Sequence, residues 1–418
     1  MTSEPAALPP IVDPDPLAID QPWMIDVLLH LLRTPSPSGR TDTVMQLVGD
    51  VMDDIGLPFV LTRRGAMVAE LPGRSATVDR AVVVHADTIG CMVSDLKANG
   101  RLSVIPIGSF SARFAEGARV TIFTDVHEQT YSGTILPLKA SGHAFGDEID
   151  EQGVGWDHVE VRVDQRVSSI GDLQALGIQV GDTVALLANP EVTEAGFIVS
   201  RHLDGKAGVA AALATAKAIV DGGVELQHKA NLLVTIAEEV GHGASHGLGE
   251  DVAEMVSIDN AVCAPGQHSI EHGVTIPMAD MTGPFDYHLT RRLCALCRNA
   301  EIDHARDTFK WYRSDVAAAL ESGAQTRAAL VAFGLDASHG WERTEVSSVD
   351  SVARLLSIWL QTPLTFAAWD ATPLGPLRDF PSSSQPTPEE EWGWLPAGPG
   401  DQSDDRTDQL DAGHPPAT

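Results

Sequence analysis

Cysteine is scarce: four residues in 418 (Cys91, Cys263, Cys294 and Cys297) cannot staple a scaffold of this size. Basic residues are few as well. Twenty-eight Lys+Arg stand against 58 Asp+Glu, a net charge of −30. Such a surface is repelled by phosphate backbones and anionic membranes, so neither nucleic acid nor a membrane is an expected partner. Long apolar runs are missing. The longest, over 207–220, is short for a bilayer and carries Lys217. The chain starts Met-Thr-Ser-Glu-Pro, acidic and proline-rich where a signal peptide would be basic and then apolar. A cytoplasmic location is the expectation.

What is present suffices for a sizeable core. Apolar residues make up 43% of the chain, and its length suggests two or three domains at ~150 residues each. The segment 371–418 holds 9 of the 26 prolines and nine acidic residues against two arginines, with no hydrophobic period. It reads as a disordered acidic tail. Residues 1–20 read as a flexible arm.

Between them two textures alternate. Residues 21–92 and 197–370 interleave amphipathic helices (23–32, 41–55, 206–220, 285–299, 346–360) with short, continuously apolar strands (81–85, 231–237, 256–258, 328–333). That pattern predicts an α/β layer with a mostly parallel mixed sheet flanked by helices. Residues 93–196 instead give short alternating segments punctuated by Gly and Asp turns, the pattern of a small all-β, barrel-like domain. It begins after one α/β strand and ends before an α/β helix, as an insertion into a discontinuous domain would.

Five stretches concentrate histidines and carboxylates at predicted strand ends. In Val82-Val83-Val84-His85-Ala86-Asp87, a buried strand delivers His85 and Asp87 to one side. A ligand histidine usually donates its other ring N–H to a carboxylate or carbonyl, and Asp87 is placed to receive it. In His202-Leu203-Asp204-Gly205-Lys206, Asp204 stands where a helix N-cap belongs, so capping competes with a site role. Glu238 and Glu239 follow a buried strand directly, where unpaired charge is costly. In extended chain the two would point opposite ways, one towards a metal and one towards substrate. Asp259 ends another strand, with a turn before Asn260 as the plain alternative. His339 lies in a glycine-containing loop after the strand at 328–333.

Together these residues converge on the edge of an open α/β sheet, where sites lie outside the carboxyl ends of strands. A bridging carboxylate with a His and a carboxylate on either side makes two metal positions. Ligands that are all O or N suit Zn²⁺, Co²⁺ or Mn²⁺. Other candidates fail on context. His242 and His246 are four apart, but the glycines at 241, 243 and 247 disfavour the helix a zinc pair needs. Cys294 and Cys297 sit in an amphipathic helix with no second cysteine pair.

The order His85-x-Asp87, Asp204, Glu238-Glu239, Asp259 and His339, with a β insertion after the first pair, resembles the M42 glutamyl-aminopeptidase-like metallopeptidases over roughly residues 21–362. The stretches Gly273-Val274-Thr275-Ile276-Pro277-Met278, Thr282-Gly283-Pro284-Phe285-Asp286-Tyr287-His288 and Ser338-His339-Gly340-Trp341-Glu342-Arg343-Thr344 resemble one branch. It is the one associated with the N-acetylglutaminylglutamine amide osmoprotectant system. The resemblance implies two divalent ions, with His85 and Asp259 on one, Glu239 and His339 on the other, and Asp204 bridging. It implies Glu238 as general base, Asp87 orienting His85, a zinc-exopeptidase-like fold, and a homo-oligomer (dimer or dodecamer) built through the insertion. Two departures stand out. Gly205 follows the bridging Asp where the family often has an acidic or amide residue, and Glu345 stands where the branch commonly has His.

The expected activity is therefore aminopeptidase hydrolysis of short peptides. A second reading is hydrolysis of capped dipeptides or N-acyl amino acids, because no motif carboxylate beyond Asp286 and Glu342 is left to hold a free amino terminus. A glycosidase using Glu238 and Glu239 as paired acids is a weaker rival, since neighbours pointing apart do not flank a glycosidic bond. A non-catalytic scaffold would not carry a complete ligand set.

Overall fold

The computed structural model describes residues 13–126 and 129–366, so the expected tail and residues 1–12 of the expected arm lie outside the described residues. At the centre is a mixed nine-stranded sheet. In spatial order its main path runs Phe59–Leu61, Met67–Leu71, Leu226–Thr235, Gly73–His85, Val252–Val262, Arg327–Leu335, Val274–Asp280 and Gly283–Pro284. His304–Thr308 pairs alongside Val274–Asp280. The four middle strands, Leu226–Thr235 to Arg327–Leu335, are mutually parallel. Antiparallel neighbours flank them on both sides.

This is the α/β architecture the apolar runs predict. Val82, Val83, Val84, Leu232, Leu233, Val234, Val256, Ile258, Leu330 and Val331 are all buried, because helices and loops cover both faces of a parallel centre. The helix Leu203–Asp221 is built almost wholly of Ala, Val, Leu and Ile after its first turn and is buried nearly all round. It packs between Gln21–Arg33 and Val346–Gln361 and onto the central strands.

Several strands outrun their expected bounds. Val252–Val262 continues four residues past Ile258, so Asp259 and Asn260 lie within the strand and the turn alternative fails. Pairing with Arg327–Leu335 holds them extended. Residues 13–20 are not a loose arm. Asp13 accepts hydrogen bonds from Arg292 and from Asn299 (2.8 Å), and the Leu17 N–H donates to Ser357 (3.0 Å).

The alternating segments close into a six-stranded antiparallel barrel. Its order is Gly90–Leu96, Arg101–Ile107, Val159–Val163, Thr130–Pro137, Arg119–Phe123 and Thr183–Leu186, returning to the first. Inward residues such as Val93, Leu102, Val104, Val120, Ile122, Ile135, Val161 and Val184 form its own core. The first barrel strand starts at Gly90, ahead of residue 93, because the chain passes from the sheet into the barrel with only four residues between His85 and Gly90. A small three-stranded sheet (Glu191–Val192, Phe197–Ser200, Glu342–Glu345) leads the chain back and pairs it with the segment after His339.

Candidate metal centre

Parallel pairing brings the separate motifs to one edge. His85 is the last residue of its strand and pairs in register with Thr235, the last residue of the next. Ser257 pairs with Val83 on the other side, which puts Asp259 level with His85 two residues on. Glu238 and Glu239 follow Thr235 after two residues, and His339 follows Leu335 after three.

Two three-residue groups result. His85, Asp204 and Asp259 form one, and Asp204, Glu239 and His339 form the other, with ligand atoms all within 4.8 Å in each. Asp204 is common to both. Its Oδ1 lies 3.3 Å from His85 Nε2 and its Oδ2 3.2 Å from His339 Nε2. Asp259 Oδ1 is 3.8 Å and Glu238 Oε2 4.0 Å from His85 Nε2, and Glu239 Oε2 is 3.4 Å from His339 Nε2. His85 Nε2 is buried and makes no hydrogen bond of good geometry, although carboxylates surround it. Donor atoms aimed at a common point rather than at one another are what a bound cation requires.

The electrostatics agree. Burial raises the Glu238 carboxyl well above its ordinary range, with Asp259, Asp315 and Glu239 adding repulsion against the opposing pull of His85. Glu239 and Asp259 are also raised, burial first in each case. Burial would lower both imidazoles, but the facing carboxylates win: His85 stands well above its usual value and His339 is pushed up to about 12. Four buried carboxylates around two imidazoles are an excess of negative charge that divalent cations would neutralise. The residues present fit a pair of such ions.

Asp204 does not cap the helix. Its φ/ψ of −54/116 and Gly205's 74/−48 are non-helical, and its carboxylate is taken up by Asn260, Ser338 and the two histidines. The chain turns sharply here and directs the Asp204 carboxylate between the two histidines. Glu238 and Glu239 lie in a turn rather than in extended chain, so pleat alternation is not what separates them. Asp87 does so instead: its Oδ1 accepts the Glu238 N–H (3.1 Å), and its Oδ2 accepts the Glu239 N–H (3.3 Å) and the Ser38 hydroxyl (2.5 Å). The Asp87 carboxylate is thereby occupied, and His85 Nδ1 bonds the Asp87 main-chain carbonyl at 3.1 Å. His339 Nδ1 likewise bonds a carbonyl, that of Ser109 at 3.1 Å, on the loop after a barrel strand. Both rings thus turn Nε2 inwards.

The centre opens into a cavity of about 970 Å³, lined by Glu238, Asp259, Gln267, Phe309, Trp311 and Tyr312 among others. Against known proteins, residues 65–355 match the family model for the M42 glutamyl aminopeptidases. The chain belongs to the M42 family.

The M42 assignment has support along nearly the whole folded body. The chain is 34% identical over 340 residues to "Putative aminopeptidase YhfE" of Bacillus subtilis, covering 81% of this chain and 98% of that one. The fold matches a TET aminopeptidase of a Thaumarchaeota archaeon with a TM-score of 0.74 at 16% identity, over 81% of this chain and 96% of that chain. It matches the TET1 peptidase of Pyrococcus horikoshii with a TM-score of 0.70 at 20% identity, over 81% and 99%. As an M42 member the chain is a metal-dependent exopeptidase of the aminopeptidase kind.

Within this M42 chain, several residues to which the sequence assigned no such role hold the candidate ligands in place. Asn260 donates to Asp204 Oδ2 (2.8 Å) and Asp259 Oδ1 (3.2 Å), and Ser338 donates to Asp204 Oδ2 (3.2 Å). These bonds orient the shared carboxylate without a side chain at 205, where a Cβ would collide with the His85 ring. Glu342, buried, accepts the Leu203 (2.7 Å), Asp204 (3.2 Å) and His339 (2.8 Å) N–H groups. Burial and the Asp204 charge push its carboxyl up to about 8. Asp315 accepts the Thr235 hydroxyl and the Ala244 N–H, both at 2.7 Å, behind the Glu238 turn. Asn260 and Ser338 adjoin Asp259 and His339, and Glu342 stands three residues past His339, so their place beside the predicted residues was a signal; Asp315 comes from a distant helix.

Asp286 and Glu342 are both spent on structure. Asp286 caps Tyr287–Asn299 through Leu289 and pairs with Arg327 at 3.0 Å. Glu345 bonds His272 and Ser347. Cys294 and Cys297 are buried free thiols. His242 and His246 lie in the loop after the Glu238 turn, His246 within 3.5 Å of Thr62.

Proposed function

We propose that this chain is a two-metal aminopeptidase of short peptides. His85 and Asp259 would hold one ion, Glu239 and His339 the other, and Asp204 both. The observation that carries this is the pair of three-residue groups sharing Asp204. The oxygen and nitrogen donor set suits Zn²⁺ or Co²⁺, with Mn²⁺ next. Such a pair of ions, when bound, acidifies water and polarises the scissile carbonyl.

The chain's own residues do the rest. Glu238 lies on the cavity wall beside His85 and Asp259, where burial first and the neighbouring carboxylates next raise its affinity for a proton, the direction a general base needs. It accepts a proton from the attacking water and delivers it to the leaving amine. Asp87 is a positioning residue: through the Glu238 and Glu239 N–H groups it sets where base and ligand point. Four free thiols suit a cytoplasmic setting. A homo-oligomer, with the inserted barrel as the dimerising element, is part of the proposal. It is supported by the likeness to the Pyrococcus horikoshii peptidase, which assembles into a tetrahedron or an octahedral shell. Light scattering of the intact chain tests it; a monomer would refute it.

A second reading, hydrolysis of capped dipeptides within an osmoprotectant system, is favoured by one observation. Neither Asp286 nor Glu342 is free to receive an ammonium group. Among the described residues the remaining cavity carboxylates are the metal-centre set and Glu321, which is paired with Arg313 at 2.8 Å.

The deciding experiment combines elemental analysis with kcat/KM on free and N-acetylated di- and tripeptides, with and without chelator. Two ions per chain and chelator-sensitive cleavage of free peptides support the first reading. Preference for acetylated substrates supports the second. Metal-independent cleavage would refute both.

A further inference from the structure

We propose that the Tyr312 hydroxyl is a catalytic hydrogen-bond donor to the oxyanion that forms on the scissile carbonyl. This inference rests on the peptidase reading above.

Tyr312 follows the strand His304–Thr308 and precedes the helix Asp315–Glu321, and it lines the cavity with Asp204, Glu238 and Asp259. Its hydroxyl is buried and makes no hydrogen bond of good geometry among the described residues, with the Asp259 carboxylate its interacting neighbour close by. Leaving a buried hydroxyl without a good hydrogen bond is costly. Such a group at a cavity wall marks a place where a ligand completes the bonding.

Several other side-chain donors of the cavity wall are engaged. Asn260 Nδ2 serves Asp204 and Asp259, and the Ser338 hydroxyl serves Asp204. Gln267 Nε2 bonds Asp307 and the Thr308 carbonyl, and Arg313 bonds Glu321. Lys310 is exposed, with its ammonium over the Trp311 ring. The inner surface is otherwise dominated by carboxylates, which accept hydrogen bonds and donate none when ionised. Negative charge developing on a carbonyl oxygen among them needs a donor, and a phenol is protonated at neutral pH.

The residue is also held in place. Its main-chain carbonyl accepts the Met281 N–H at 3.0 Å, and its ring packs on buried Phe309 at 4.9 Å between centroids. Two residues on, Ser314 caps the helix whose first residue, Asp315, is tied to Thr235 and Ala244. A donor fixed before substrate arrives has no reorganisation to undergo in the transition state.

The test uses metal-loaded, full-length Tyr312→Phe. We expect kcat to fall by about 10²–10³ with KM within about threefold and metal stoichiometry unchanged. The affinity for a phosphinic dipeptide, which mimics the tetrahedral state, should fall by a similar factor while product affinity holds. Unchanged kcat would overturn the inference. So would a loss of kcat that tracks a loss of metal, because the phenol would then serve Asp259 rather than the substrate. Should thermal unfolding show that the variant folds poorly, 3-fluorotyrosine at position 312 keeps ring and hydroxyl and alters donor acidity. There kcat must change with KM constant, and an identical kcat overturns the assignment. A wild-type chain without peptidase activity defeats both readings; an active wild type with an unaffected Tyr312→Phe defeats this one alone.

Discussion

Gly205 and the His85 imidazole are so closely apposed that a Cβ on residue 205 would stand 2.4 Å from Cε1 and 2.5–2.6 Å from both ring nitrogens. The glycine also holds φ +74, which L side chains rarely adopt. The missing side chain is what lets the turn that carries Asp204 lie against the His85 ring.

Gly205→Ala should therefore push His85 off its position. We expect metal affinity to fall by roughly 10–100-fold, the range for disturbed ligand orientation, with activity falling in parallel. Chelator competition measures it. Wild-type affinity in the alanine variant would show that the ring can move without consequence.

For the base, Glu238→Gln preserves size but cannot carry a proton. Turnover should drop by about 10²–10⁴ while both ions remain by elemental analysis. Loss of one ion instead would exchange the roles of Glu238 and Glu239.

Glu342 joins the two ligand loops, accepting N–H groups of Asp204 and His339 on different oxygens. Glu342→Gln leaves one acceptor and turns an amide N–H₂ towards a backbone donor. One loop must shift, so metal affinity should again fall about 10–100-fold although no ligand is removed. Metal titration followed calorimetrically would detect it, and an unchanged isotherm would make the clamp dispensable.

His202 supplies a pH test. Burial, reinforced by Lys206 and Arg201, lowers its pKa from 6.5 to about 3, and its Nε2 bonds the Leu186 carbonyl at 3.0 Å. The unfolded chain takes up this proton below about pH 6.5 and the native chain resists until about pH 3. The contribution is thus fully present above 6.5 and is lost as pH falls, at up to about 1.4 kcal/mol per pH unit. His202→Asn, which tolerates the left-handed backbone at 202, should show a shallower fall of Tm between pH 7 and 5. Parallel Tm profiles would contradict this.

Much of the molecule was legible from local chemistry. Apolar runs such as Val82–Val84 and Leu232–Val234 are buried on both faces and need no tertiary information to be read as central strands. Alternation over 93–196 likewise announced a separate β unit, because one residue in two must face its own core. The ligand types and their order pointed to the same M42 family as the comparisons. Tertiary structure decided the rest. Whether Asp204 caps a helix or bridges two histidines depends on a backbone break at 204–205 that the presence of a glycine permits but does not require. The jobs of Asp87, Asn260, Ser338 and Glu342 depend on which amides and carboxylates meet across loops separated by up to 152 residues. Hydrogen bonding acts over about 3 Å, and sequence patterning carries no information at that range between segments the sheet alone brings together.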